Sequence, residues 1–289
     1  MMINFIKSLF ISLFPVFGLY VFIDCILNLL SDSFLLGNFG RMLCALGIIV
    51  FFAALFLKPV ARTERIPVSY TLFIVLTFLF SMVSDVTERN VTISHSLVSL
   101  LLLTGWFVYL WWYSSFDERE QAEISVGRSL PEFFLEDTHK NEVPSSSFKG
   151  KPSIYIFYRG NWCPLCMAQI SEVAQQYREL EKHGAQVVLI SPQPHKYSAS
   201  LARKYDLGFH FMVDRNNKAA ELLNIHSVNG IPAGFQLLGY QSNTVMPTVI
   251  ITDKQGKVIF ADLTDNYRVR PEPETFLRVL HTLNNKNAR

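Results

Sequence analysis

The chain has 289 residues, half of them hydrophobic and 17% charged, with a formal net charge of +2. Soluble domains carry about a quarter charged residues, so a wholly soluble, disordered or collagen-like chain is excluded, and four cysteines are too few for a disulfide-dense secreted fold of this size. The net charge is too small to imply a nucleic-acid partner, so none is expected, and what remains is a membrane protein with a soluble part.

Four segments are apolar enough to cross a bilayer, which takes about 20 residues: 9–30, 41–57, 68–84 and 94–113. They predict an all-α four-helix transmembrane domain over residues 1–113, with the lipid bilayer as its partner. The fourth ends in Trp106-Phe107-Val108-Tyr109-Leu110-Trp111-Trp112-Tyr113, an aromatic run of the kind that belts a headgroup boundary. The first reads as an uncleaved span, because its apolar run is too long for a signal peptide and no small-residue cleavage site follows. Phe22-Ile23-Asp24 is the wrong approach to a lipid-attachment site at Cys25. Lys7, Lys58, Arg62, Arg65, Arg119 and Arg128 flank the spans on the side of both termini, against Arg41 and Arg89 on the other. That bias predicts an integral, multi-pass protein whose soluble part is cytoplasmic. Cys25 and Cys44 read as small packing residues, the sharper alternative being a thiol pair that relays electrons across the bilayer. Asp24 reads as interfacial rather than as a functional intramembrane carboxylate.

Residues 114–125 form a predicted linker, charged and without a hydrophobic face over 116–123, and residues 126–289 form a second domain. Its pattern alternates strand and helix: strands at 153–158, 186–190, 210–214, 249–251 and 257–261, helices at 167–182, 195–205, 218–223 and 272–283. The turn Asp253-Lys254-Gln255-Gly256 signals a closing hairpin, and the whole predicts an α/β sandwich with a mixed sheet flanked by helices.

Cys163-Pro164-Leu165-Cys166 falls between the first buried strand and the helix after it. Free backbone amides and the helix dipole stabilise a thiolate there, and Pro164 suits a first helical turn because its missing N–H costs nothing. A two-residue spacing lets one thiolate attack a disulfide formed on the other. Cys163, taken as the more exposed, is assigned as attacking nucleophile and Cys166 as resolving partner. A zinc site needs about four ligands, and no second cysteine pair accompanies this one, so no metal is expected. No flavin or nicotinamide motif occurs either, so the expected reductant is an external thiol donor and no cofactor is expected.

Phe157-Tyr158-Arg159-Gly160-Asn161-Trp162-Cys163-Pro164-Leu165-Cys166 resembles the Tyr-Arg-Gly-x-Trp-Cys-Pro-x-Cys signature of peroxiredoxin-like proteins, in the alkyl hydroperoxide reductase/thiol-specific antioxidant branch of the thioredoxin superfamily. The resemblance runs from about 126 to 283. Val126-Gly127-x-x-Leu130-Pro131-x-Phe133 is similar to the branch's opening strand, and Asp265-Asn266-Tyr267-Arg268-Val269-Arg270-Pro271-Glu272-Pro273 resembles the segment before its last helix. Met246-Pro247-Thr248 sits where the superfamily places a cis-proline, a loop that lies against the redox cysteines and offers backbone to an extended substrate. The resemblance implies a thioredoxin-like fold, with Trp162, Pro164, Arg159, Met246, Pro247 and Thr248 supporting the cysteine pair.

Two departures bear on function. The peroxiredoxin pattern Pro-x-x-x-Thr-x-x-Cys meets Ile156 and Gly160 here, so the threonine that helps hold a peroxide is missing. The buried acid of thioredoxins is replaced by Phe157. Arg159, Arg268 or Arg270 is expected to supply positive charge beside the thiolate. The reading is a membrane-anchored thiol–disulfide oxidoreductase acting on a protein disulfide or a peroxide, with exchange slightly favoured. The alternatives are an extracytoplasmic thiol reductase for cytochrome or copper-site maturation and a non-enzymatic membrane adaptor. The segment 226–244, glycine-rich and apolar, is a candidate substrate loop.

Overall fold

The computed structural model describes residues 2–30, 35–89, 91–116 and 123–287. They fall into two compact units, one of residues 6–59 with 63–115 and one built on the residues after Ser115. Most of the expected linker, residues 117–122 with Arg119 among them, lies outside the described residues.

The first unit holds α1 (Met2–Leu30) from Ile6 onward, α2 (Leu36–Leu57), α3 (Val68–Thr87) and α4 (Ile93–Phe107), the last continued by a π-helical turn over Val108–Tyr113. All four helices are long and apolar enough to cross a membrane by length and composition. α1 starts earlier than the expected residue 9. The aromatic run is not a simple belt: Tyr109 and Tyr113 are buried and Trp111 is exposed, because the wide turn lets Tyr109 pack edge-on against Phe51 and Phe52. Asp24 lies on an exposed face and accepts a bond from Asn28 Nδ2 at 3.1 Å. Cys25 and Cys44 are free and buried, and Cys44 Sγ is 3.8 Å from the Ile74 carbonyl.

α2 and α3 approach closely along a stripe of small residues, Gly37, Gly40, Cys44 and Gly47. A Cβ at Gly40 would lie 2.7 Å from the Ser81 backbone, so only glycine permits this spacing. Inside the contact, Arg41 Nη1 meets Asp85 Oδ2 at 2.6 Å, and Arg41 also donates to Asn38 Oδ1 at 2.5 Å and Ser81 Oγ at 3.4 Å. Arg41 therefore does not flank a span as the charge count assumed: it is 2% exposed within α2, where its partners offset its desolvation. Arg89 is left as the only basic residue on that side of the count. Arg41→Leu strands the Asp85 carboxylate, and a loss of about 3–5 kcal/mol is expected. It is read as a lowered melting temperature of the full chain in detergent, largely restored when Asp85→Leu is added.

The second unit is built on a seven-stranded mixed sheet of order β2-β1-β5-β4-β3-β8-β9, from β1 (Phe134–Glu136), β2 (Glu142–Pro144), β3 (Ser153–Phe157), β4 (Gln186–Ser191), β5 (His210–Val213), β8 (Thr248–Thr252) and β9 (Val258–Asp262). β3, β4 and β5 run parallel, and β8 pairs antiparallel with β3 and β9. The interior strand β3 is buried at every position, as expected of a strand covered on both faces. Helices α5 (Pro164–Gln175), α6 (Tyr177–Lys182), α7 (His195–Lys204), α8 (Lys218–Leu222) and α9 (Pro273–Asn287) connect and flank these strands. A two-stranded ribbon, β6 (His226–Ser227) with β7 (Thr244–Val245), brackets the segment 228–243. This is a thioredoxin-like fold, and its parallel strands carry the loop to Cys163 at the carboxyl end of β3.

Two expectations shift. The helix expected over 167–182 starts at Pro164 and breaks at Gln176 (φ −97°, ψ 7°). The first strand is Phe134–Glu136 rather than 126–133, because Gly127 turns with φ +94° and the stretch meets the sheet edge through an isolated bridge of Ser129 to Lys257 and a bond from Gly127 N to Val258 O at 2.8 Å, without a continuous ladder.

Candidate active site

β3 ends at Phe157, and residues 158–163 form a short loop before α5. Cys163 is the N-cap of α5, its sulfur 3.4 Å from the Cys166 N–H, and Pro164 opens the helix. One turn on, Cys166 Sγ lies 2.7 Å from Cys163 Sγ, and both thiols are free. The expectation that Cys163 is the more exposed is corrected: the two are 2% and 1% exposed, because the loop is covered by the residues that hold it. Gln193 accepts from Asn161 N at 2.8 Å and donates to Tyr158 OH at 2.9 Å. Thr244 Oγ1 donates to the Arg159 carbonyl at 2.9 Å, and Tyr240 OH bonds Asn161 Oδ1.

The cation at the sulfurs is Arg270. Its Nη2 is 3.4 Å from Cys166 Sγ and 3.9 Å from Cys163 Sγ, and its Nη1 donates to Gln169 Oε1 at 3.0 Å. Burial opposes charge on Cys166, but the hydrogen bond shared with Cys163 and the charge and bond of Arg270 outweigh it and bring that thiol down to about 5. Burial, then the bond and charge of Cys166, push Cys163 well above the thiol range. One proton bridges the sulfurs, so the two directions describe a pair whose first ionisation is easy and whose second is hard.

The other expected residues are placed as follows. Arg159 is buried, stacks over Trp162 at 4.9 Å and Tyr267 at 5.7 Å, and donates to the Gly230 carbonyl. It therefore braces the loop, and it lowers the Cys163 thiol only as a lesser charge. Arg268 is fully buried. Trp162 meets Phe235 edge-on at 5.5 Å. Thr248 pairs with Phe157 across β8 and β3, which sets Met246 and Pro247 beside the start of the cysteine loop. The Met246–Pro247 bond is trans, correcting the cis expectation. The trans form is the lower-energy one by about 0.5–1 kcal/mol, and here Met246 is bonded through its N–H to Ile225 O at 2.7 Å and through its carbonyl to Thr248 Oγ1 at 2.9 Å.

Gly160, at the missing threonine's position, has φ +148°, and a Cβ there would lie 2.6 Å from the Trp162 indole nitrogen. The indole fills the space a side chain would need. Gln169, Gln193 and Tyr240 were not anticipated. Gln169 carried a signal: it is a polar residue three positions after Cys166 on a helix face otherwise buried and mostly apolar.

The AhpC/TSA family model matches residues 126–261. Chloroplastic peroxiredoxin Q of Populus jackii is 32% identical over 169 residues, covering 56% of this chain and 70% of that protein. The chain belongs to the AhpC/TSA family. Membership makes it a redox enzyme of the thioredoxin superfamily. Peroxiredoxin Q of Sedum lineare is 35% identical over 97 residues, and the match spans about half of that relative, 52%. The thiol-disulfide oxidoreductase ResA of Geobacillus kaustophilus is 25% identical over 149 residues, 51% of this chain and 80% of its own. The family match leaves residues 1–125 outside it.

Proposed function

We propose that this AhpC/TSA-family protein is a membrane-anchored thiol–disulfide oxidoreductase that cycles Cys163 and Cys166 between dithiol and disulfide. Residues 1–113 form its multi-pass membrane domain, and residues 126–289 form a redox domain on the cytoplasmic side that the flanking basic residues favour. The observation that carries the reading is the pair of sulfurs 2.7 Å apart with Arg270 against both. The first charge of the pair rests on Cys166, so Cys163, at the positive end of α5, passes its proton to Cys166 as it attacks one sulfur of a substrate disulfide, and the other sulfur leaves as a thiolate that takes up that proton. Cys166 then attacks the Cys163 sulfur of the mixed disulfide, releasing the second substrate thiolate and closing the internal bond. The pair has given up two electrons, and an external thiol donor returns them by the reverse exchange.

A second reading, reduction of a hydroperoxide, is favoured by the 2% and 1% exposure of the sulfurs, which admits a small oxidant more readily than a folded partner. Reduced full-length chain in detergent, mixed with a disulfide substrate, is expected to gain a Cys163–Cys166 bond by peptide mass spectrometry. Cys163→Ser is expected to abolish turnover, and Cys166→Ser to trap the mixed disulfide. Peroxide consumption measured on the same samples separates the two readings: oxidation much faster than a free thiol's, abolished by Cys163→Ser, selects the peroxide, and an ordinary rate leaves disulfide exchange. Neither cysteine variant altering either reaction would sink both.

A further inference from the structure

α5 presents Leu165, Cys166, Ala168, Gln169, Ile170 and Val173 to the interior. Gln169 is the odd member, a long polar side chain 3% exposed among apolar neighbours. Its Nε2 is buried and has no hydrogen-bond partner among the described residues. A donor left in that state is destabilising, so for packing alone a leucine would be the more stabilising residue.

The amide oxygen supplies the reason for a glutamine. Arg270 is fixed at Nε by the Tyr267 carbonyl at 3.1 Å and at Nη1 by Gln169 Oε1 at 3.0 Å. With two corners of the planar guanidinium anchored on different elements, the third, Nη2, faces both sulfurs. Since arginine has donors only, the atom of Gln169 facing it is the oxygen, which fixes the amide's orientation and leaves Nε2 without a partner. Without that oxygen the guanidinium keeps one anchor and is free to turn about it, carrying its charge off the sulfurs.

We propose that Gln169 is a positioning residue: it aims Arg270 at the redox pair, and a buried polar group is tolerated on α5 for that reason. The inference rests on the reading of Cys163 and Cys166 as the redox pair. It is tested with the full chain, reduced and in detergent, by a pulse of iodoacetamide across pH 4.5–9 and peptide-resolved mass spectrometry of the two cysteines. Gln169→Leu is expected to move the midpoint of alkylation upward by about one pH unit and to slow the reaction roughly tenfold at the acid end of that range, below the wild-type midpoint, while the melting temperature stays at or above the wild-type value. Arg270→Met is expected to move the midpoint as well, and adding Gln169→Leu to it is expected to change nothing further, since one acts through the other.

The inference is overturned if Arg270→Met moves the midpoint and Gln169→Leu does not. It is also overturned if the two shifts add, or if Gln169→Leu lowers midpoint reactivity and melting temperature together, which is the mark of simple packing. Should the leucine variant not fold, Gln169→Met, unbranched and likewise without a strong acceptor, decides by the same criteria. A wild-type midpoint at an ordinary thiol value overturns the redox-pair reading itself, and Gln169 with it.

Discussion

Gly160→Thr, which writes the family's threonine back into the pattern, is expected to disable the site rather than restore peroxide binding. At φ +148° a branched residue is strained by about 1–3 kcal/mol. Its Cβ would lie 2.6 Å from the Trp162 indole nitrogen, and forcing the ring aside costs about another 1–3 kcal/mol. The ring has little freedom to yield, because Phe235 meets it edge-on and Arg159 covers it. The expected result is a loss of about 2–6 kcal/mol in total, from the sum of those two costs, seen as a lower denaturation midpoint. Cys163 turnover is expected to fall with it. A stable Gly160→Thr protein with faster peroxide consumption would show that the indole moves easily and that the peroxide cradle is only vacant.

Arg270→Met is the second large effect. The lowered Cys166 thiol, at about 5 against an ordinary 9.0, depends on the guanidinium and on the proton shared with Cys163. Removing a charge this close moves such a group by about 1–3 pH units. Thiolate at pH 6 is then expected to fall by about twofold for the smallest such shift and about a hundredfold for the largest, while at pH 9 the variant and the wild type converge. Stability follows with a defined sign. Between about 5 and 9 the unfolded chain binds the proton that the folded pair has released, so the reduced protein gains stability as pH rises through that window and loses it as pH falls. Above it, the raised Cys163 thiol reverses the slope, because the unfolded thiol ionises where the folded one does not. Arg270→Met is expected to flatten the rise between 5 and 9. Denaturant midpoints of the reduced full chain at several pH values check this, with Arg270→Lys as the variant that keeps the charge and loses the planar fork.

How much of this was legible in the sequence depends on the range of the interaction. Cys163 and Cys166 could be placed because the cues are local: an all-apolar β-rich run, a proline suited to a first helical turn, and a two-residue spacing. The cation could only be narrowed to three arginines. Arg270 stands 107 positions from Cys163 and 104 from Cys166, and its selection over Arg159 and Arg268 is made by how the segment before α9 packs on α5. Arg159 was the more obvious candidate by proximity in sequence, yet its cation stacks on Trp162 and Tyr267. In the helical unit the opposite error occurred. Arg41 was counted as a loop charge because charges end apolar runs, and its partner Asp85, 44 positions on, is visible only once α2 and α3 lie side by side.

The concealment of the two sulfurs carries a consequence for rates. A thiolate that is ionised but covered reacts only in the fraction of molecules whose cover is open, and every observed rate constant is multiplied by that fraction. The intrinsic reactivity that Arg270 confers and the access allowed by the cysteine loop, which Thr244 and Tyr240 tie down, are therefore separate quantities. Two chains with identical sulfur chemistry would differ in speed by the ratio of their open populations, and cellular thiols and oxidants alike meet this dithiol through the same opening equilibrium.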